Sequence, residues 1–151
     1  MIKVLFVCLG NICRSPLAEG VFMHKIYTKQ LGNKYSADSA GTASYHIGSL
    51  PDKRSIEVAQ QHGIKLNHKA RAFTRNDFNT FDYIIAMDAN NYRDIINLAP
   101  PDMNHKVLLM GDFDVHNKGG NVPDPYYGTF KDFEEVYEIL ERSCESFIDF
   151  L

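Results

Sequence analysis

The chain has 151 residues, 44% of them hydrophobic and 23% charged, an ordinary globular composition that excludes a disordered or low-complexity polypeptide. Its longest apolar run, residues 4–9, is too short to cross a bilayer, and no basic leader precedes it, so a secretory signal peptide is not expected. The net charge of −3 gives no reason to expect nucleic acid or membrane as a partner, and three cysteines form no even disulfide framework, so the thiols suit a reducing cytoplasm. Charge is unevenly spread. Residues 1–75 hold 11 Lys/Arg against 4 Asp/Glu, and residues 76–151 hold 5 against 15, a balance that suits either an anionic ligand in the first half or ordinary solvated surface charge.

In chain order, residues 2–8 form an apolar run ending at Gly10-Asn11 and read as a buried strand. Ser15 then stands as a helix N-cap with Pro16 at the first helical position. Leu17, Val21, Phe22 and Ile26 recur at helical spacing as far as Leu31-Gly32-Asn33. Residues 35–41 alternate weakly and predict a second strand, and Pro51-Asp52 opens a helix that stops near His62-Gly63. Residues 81–87 predict a third strand, 90–98 a short helix closed by Pro100-Pro101, and 107–110 a fourth strand. Residues 111–130 are rich in Gly, Asp, Asn and Pro and read as a long loop of the kind that carries function. From Phe130 to Leu151 the apolar positions are spaced as one amphipathic helix interleaved with glutamates. Strand and helix alternate throughout. The chain is therefore expected to form a single domain, residues 1–151, of α/β class: a three-layer open parallel four-stranded sheet with helices on both faces. Such a sheet binds its ligand at the carboxyl ends of the strands.

The segment Cys8-Leu9-Gly10-Asn11-Ile12-Cys13-Arg14-Ser15-Pro16 lies at such an end, between the first strand and the first helix. A cysteine followed by five residues and an arginine can wrap a tetrahedral oxyanion, with backbone N–H groups pointing inward and the helix N-terminus adding positive potential. Gly10 and Asn11 are residue types that accept positive φ, which a tight cradle requires. Arg14 presents a planar fork to two equatorial oxygens, which Lys cannot match. Cys8 would lie beneath the phosphorus, where surrounding donors favour the nucleophilic thiolate. The spacing alone arises by chance. The strand–loop–helix context, the Gly-Asn pair and Ser15-Pro16 together do not suit a merely buried thiol.

The run from Val7 to Glu19 resembles the signature of the low-molecular-weight protein tyrosine phosphatases. The resemblance continues through residues 38–42, His62-Gly63-Ile64, residues 68–71, Asp77-Phe78, residues 81–84, Met87-Asp88, residues 124–128 and the tail helix, so it spans essentially the whole chain. It implies a flavodoxin-like fold and hydrolysis of phosphotyrosine and small aryl phosphates through a phosphocysteine on Cys8. Arg14 would stabilise the transition state and Asp124 would act as general acid and then base. Ser15 matches the family hydroxyl that bonds the sulfur. Leu9, Gly10, Asn11, Ile12 and Cys13 complete the phosphate loop, and Asn11, Ser39 and His68 match the network that fixes its shape. Leu9, Tyr45 and one of Tyr126 and Tyr127 would wall the phenyl pocket, and Cys13 would pair with Cys8 under oxidation. The expected partners are phosphotyrosine proteins or peptides, with inorganic phosphate or a similar oxyanion in the loop. No cofactor and no metal is expected. Relatives specific for phosphoarginine carry Thr where this chain has Ile12.

Alone, Asp124 before Pro125 would be a turn residue, and Cys144 on the apolar stripe of the tail helix an inert core thiol. Arsenate reductase chemistry on this scaffold relays a disulfide through further cysteines, and the sequence has none between Cys13 and Cys144. A phosphocysteine carrier needs no general acid, which Asp124 supplies.

Overall fold

The computed structural model describes residues 1–151. Four strands, β1 (Ile2–Cys8), β2 (Tyr35–Gly41), β3 (Tyr83–Ala86) and β4 (Val107–Leu109), form one sheet in the order β2-β1-β3-β4. All pairings are parallel, with β1 and β2 in register from Ile2 opposite Tyr35 to Cys8 opposite Gly41. The expected α/β class and sheet are therefore present. The central strand β1 is buried on both faces from Val4 to Cys8, which is why its sequence reads as a continuous apolar run rather than an alternation.

Helices α1 (Arg14–Thr28), α2 (Lys53–Gln61) and α5 (Phe130–Phe150) lie over one face, and α3 (Asp77–Thr80) and α4 (Ala89–Leu98) over the other. The first face carries the larger core, in which Phe6 of β1, Phe22 of α1 and Phe147 of α5 meet with ring centroids 5.5–6.5 Å apart. The second buries Leu5, Val7, Phe78, Ile84 and Ile95. No helix is long and apolar enough to cross a membrane.

Several boundaries differ from the sequence reading. Helix α1 begins at Arg14, so Ser15 is inside the first turn and not the N-cap, and Pro16 is at the third helical position. The cap residue is Cys13, without a capping side chain, because the Ser15 hydroxyl is engaged by Cys8 and Asn11. The same helix ends at Thr28, and the left-handed residue after it is Gln30 (φ 59°) rather than Gly32. The short α3 was not foreseen, since Asp77 and Phe78 are its only buried positions and four residues carry no periodicity. The loop expected from residue 111 is preceded and begun by a 3-10 turn, Met110–Phe113.

Candidate active site

The loop between β1 and α1 sits at the carboxyl edge of the sheet, held between β2 and α2. Thr42 N–H donates to Cys8 O and Ala43 N–H to Leu9 O, both at 2.9 Å. Gly41 permits this approach, because a Cβ there would stand 2.7 Å from Leu9 O. From the other side Asp52 N–H reaches Ile12 O at 2.7 Å and Ser55 Oγ donates to Cys13 O at 3.2 Å. The backbone N–H groups of Leu9, Gly10, Ile12 and Cys13 donate to no protein acceptor. Ile12 and Cys13 are buried, where a backbone donor is otherwise almost always paired, and all four groups are available to an anion.

Asn11 fixes the loop. It is buried, with φ 58°, a conformation that costs a non-glycine residue about 1–2 kcal/mol and that Asn tolerates best. Of the two residues expected at positive φ, Gly10 does not adopt it. A Cβ on Gly10 would instead approach the His46 ring to 3.0 Å. The Asn11 carboxamide uses all its capacity. Nδ2 donates to Ser15 Oγ (2.8 Å) and Ser39 Oγ (3.0 Å), and Oδ1 accepts from Arg71 N–H (3.0 Å) and His68 Nε2 (2.8 Å). The backbone donor of Arg71 fixes which end is oxygen, so His68 must carry its proton on Nε2. With Asn11 donating to both serines, each hydroxyl directs its own proton outward. Ser39 donates to Glu19 Oε1 at 2.7 Å, and Ser15 lies 3.0 Å from Cys8 Sγ. Asn11 N–H adds a second contact to the sulfur at 3.3 Å. The three residues expected to support the loop, Asn11, Ser39 and His68, are thus joined in one network that ends at Cys8.

Glu19, Asp38 and His68 converge behind the loop with ligand atoms within 4.8 Å of one another, a grouping invisible in sequence because the three stand far apart. Each is already engaged: Glu19 by Ser39, Asp38 by Arg71 at 3.1 Å, His68 by Asn11. Burial pushes Glu19 up to about 7, and burial pushes His68 down against the pull of Asp38, whose Oδ1 lies 3.3 Å from His68 Nδ1.

Arg14 is buried. Its Nη1 donates to Asp88 Oδ2 at 2.6 Å and to Val122 O at 3.1 Å, while Nη2 stands 3.7 Å from Asp124 Oδ2. Burial opposes its charge, but Cys8 and Asp88 raise its pKa further, so the guanidinium stays ionised. Asp88 also caps α4 through Asn91 N–H at 2.7 Å. Val122 N–H bonds Met87 O at 2.8 Å, which sets the approach of the loop bearing Asp124.

Cys8, Leu9, Gly10, Ile12, Cys13, Arg14, Tyr45, Asp124, Tyr126 and Tyr127 line one cavity of about 110 Å³. Every residue expected at the pocket is therefore there, and Tyr126 and Tyr127 both contribute, their rings 4.9 Å apart. Tyr127 is 94% exposed and stands at the mouth. His46, not anticipated, completes the lining and faces Tyr126 at 6.1 Å. Burial, reinforced by Asp52 and Cys8, pushes the Cys13 thiol up. Cys144 is sealed in the core and pushed up to about 12 by burial, in keeping with an inert thiol.

A family model for low molecular weight phosphotyrosine protein phosphatase matches residues 3–151. The chain is 47% identical to the low molecular weight phosphotyrosine protein phosphatase of Gallus gallus, over 97% of this chain and 94% of that protein. Among solved structures it is similar to a protein tyrosine phosphatase from Entamoeba histolytica with Hepes in the active site (TM-score 0.96, 45% identity, 99% and 96% of the two chains). It is also similar to a Drosophila arginine phosphatase (TM-score 0.93, 35% identity, 99% and 97%).

Proposed function

The chain belongs to the low molecular weight phosphotyrosine protein phosphatase family, and from that premise we propose that Cys8, Arg14 and Asp124 carry its hydrolysis of phosphotyrosine and aryl phosphates. The observation that carries the assignment is the loop itself: four unpaired backbone N–H groups and a buried arginine surround a cysteine whose sulfur accepts from an amide and lies 3.0 Å from a serine hydroxyl.

The thiolate of Cys8 attacks phosphorus in line. The S–P bond forms as the P–O bond to the ring breaks, and Asp124 gives its proton to the departing phenolate. Charge spreading over the three equatorial oxygens meets the loop amides and the Arg14 fork, where most of the catalysis of phosphoryl transfer arises. Asp124, now ionised, takes a proton from water. That water attacks phosphorus, the S–P bond breaks, and the Ser15 hydroxyl receives the returning negative charge on sulfur.

The cavity supports phosphotyrosine as substrate. Leu9, Ile12, Tyr45, His46 and Tyr126 line the cavity that holds Cys8, which suits an aromatic ring, and a phosphoserine side chain is expected to be too short to reach Cys8 past them. Against phosphoarginine the cavity has Ile12 instead of a hydroxyl. A methyl-sized difference is worth about 1–3 kcal/mol, or about 10–200-fold in kcat/KM. Three buried free thiols support residence in a reducing compartment, the cytoplasm. The test is a hydrolysis panel of phosphotyrosine, phosphoserine and phosphoarginine peptides with wild type and Cys8→Ser. Phosphotyrosine should lead, and Cys8→Ser should bind without turnover. Equal hydrolysis of phosphoarginine would replace this reading with an arginine phosphatase on the same scaffold.

A further inference from the structure

Arg54, in the first turn of α2, is absent from the cavity lining, yet it ties the two catalytic loops together. Its Nε and Nη2 grip the Asp52 carboxylate, each at 3.0 Å. Nη2 also donates to Tyr126 O at 2.9 Å and Nη1 to Gly128 O at 3.2 Å. A guanidinium has five N–H donors, and four are committed to these protein acceptors. Below, Cζ lies 4.3 Å from the centroid of the buried Phe133 ring in α5. Asp52 in turn sends its backbone N–H to Ile12 O in the nucleophile loop. The Asp52–Arg54 unit therefore touches the nucleophile loop on one side and the two carbonyls just beyond Asp124 on the other.

Asp124 has little else to hold it. Its side chain is 42% exposed and makes one local hydrogen bond, Oδ1 accepting from Tyr126 N–H at 3.1 Å, besides the longer 3.7 Å approach of Oδ2 to Arg14 Nη2. Before Asp124 the loop is pinned at Val122, by Met87 O and Arg14. After it, the carbonyls held by Arg54 are the corresponding anchor. We propose that Arg54 is a positioning residue for the general acid, a strap that sets where the Asp124 carboxyl stands over the phosphate loop. This rests on the assignment of Asp124 as general acid.

The test is kcat/KM over a series of aryl phosphates, from phenyl phosphate to dinitrophenyl phosphate, for Arg54→Ala, Arg54→Lys, Asp124→Ala and Arg54→Ala/Asp124→Ala. A positioned general acid is worth about 10²–10⁴-fold. Arg54→Ala should lose at least about tenfold on phenyl phosphate, less than Asp124→Ala does, and should approach wild type on dinitrophenyl phosphate, whose leaving group needs no proton. Lysine, a point charge, cannot grip a carboxylate and two carbonyls together and should show the same slope while preserving the cation over Phe133. Inhibition by inorganic phosphate should be unchanged, and the double variant should be no slower on phenyl phosphate than Asp124→Ala alone. A loss equal across the series, or additive losses in the double variant, overturns the strap while leaving Asp124 as acid. A flat series for Asp124→Ala itself overturns the acid assignment and the strap with it.

Discussion

Replacing Asn11 by alanine should cost about 3–5 kcal/mol of stability, and the structure shows where that comes from. The carboxamide makes four hydrogen bonds in a site 1% exposed. Two of its partners lose only an accepted bond: the Ser15 hydroxyl keeps its contact with Cys8, and Ser39 keeps Glu19. The other two, the backbone N–H of Arg71 and the Nε2–H of His68, are left without an acceptor. An orphaned buried donor costs about 1–3 kcal/mol, or about 2–6 for two; both bonds are only part-buried, which puts the pair in the lower part of that range, about 2–4. Alanine at φ 58° adds about 1 kcal/mol of backbone strain. Urea unfolding with linear extrapolation should resolve this against a total stability of about 5–15 kcal/mol. Glycine relieves only the backbone part, so Asn11→Gly should recover about 1 kcal/mol relative to Asn11→Ala. Both should lose activity, since the Cys8 sulfur loses the serine orientation that Asn11 imposes. A loss below about 1 kcal/mol, or a glycine variant less stable than the alanine one, would refute the view that this carboxamide shapes the loop.

Arg14→Lys should lower kcat by at least about 10²-fold, because a point charge cannot hold Asp88 and Val122 O while also gripping phosphate; a variant retaining most of its kcat would remove the transition-state role. Mild peroxide should inactivate reversibly, with Cys8 oxidised to a sulfenic acid and captured by Cys13 with loss of water. Peptide mapping should find the Cys8–Cys13 disulfide, and Cys13→Ser should recover less fully on reduction; full recovery of that variant contradicts the pairing. Asp114→Asn should cost about 1–3 kcal/mol at neutral pH, since Asp114 is buried and bonded by Arg142 at 2.7 and 3.0 Å. Those bonds hold its carboxyl below the usual range, so its contribution is full above the unfolded carboxylate pKa of about 4 and fades as pH falls through the lower folded value. The variant's unfolding midpoint should accordingly depend less on pH on the acid side, and an unchanged acid limb would contradict the assignment.

How much of this was legible beforehand follows from the range of the forces involved. Strands β1 and β2 were readable to the residue because Gly10 and Gly41 close apolar or half-buried runs. The phosphate loop was readable because its chemistry is contiguous, from Cys8 to Ser15. Helix α1 was misplaced at both ends for opposite reasons. At its start, capping rules assume a serine free to cap, whereas Ser15 serves the sulfur. At its end, Gln30 takes the left-handed turn that glycine usually takes. Asp88 and Glu19 lay within stretches that resembled the family, but their partners Arg14 and Ser39 are 74 and 20 residues away. His46 and Arg54 had no signal at all. One fills the space that Gly10 leaves, and the other meets carbonyls more than seventy residues on.

The most direct measurement is of the covalent intermediate. Asp124→Ala should be mixed with nitrophenyl phosphate, whose acidic leaving group departs without help, so that the first step proceeds and the base-dependent second step stalls. Rapid acid quenching and peptide mass spectrometry should then find phosphate on the peptide carrying Cys8, in proportion to a burst of nitrophenol, and neither should occur in Cys8→Ser/Asp124→Ala. Phosphate on any other residue, or a burst that survives loss of Cys8, would contradict nucleophilic catalysis by this thiol.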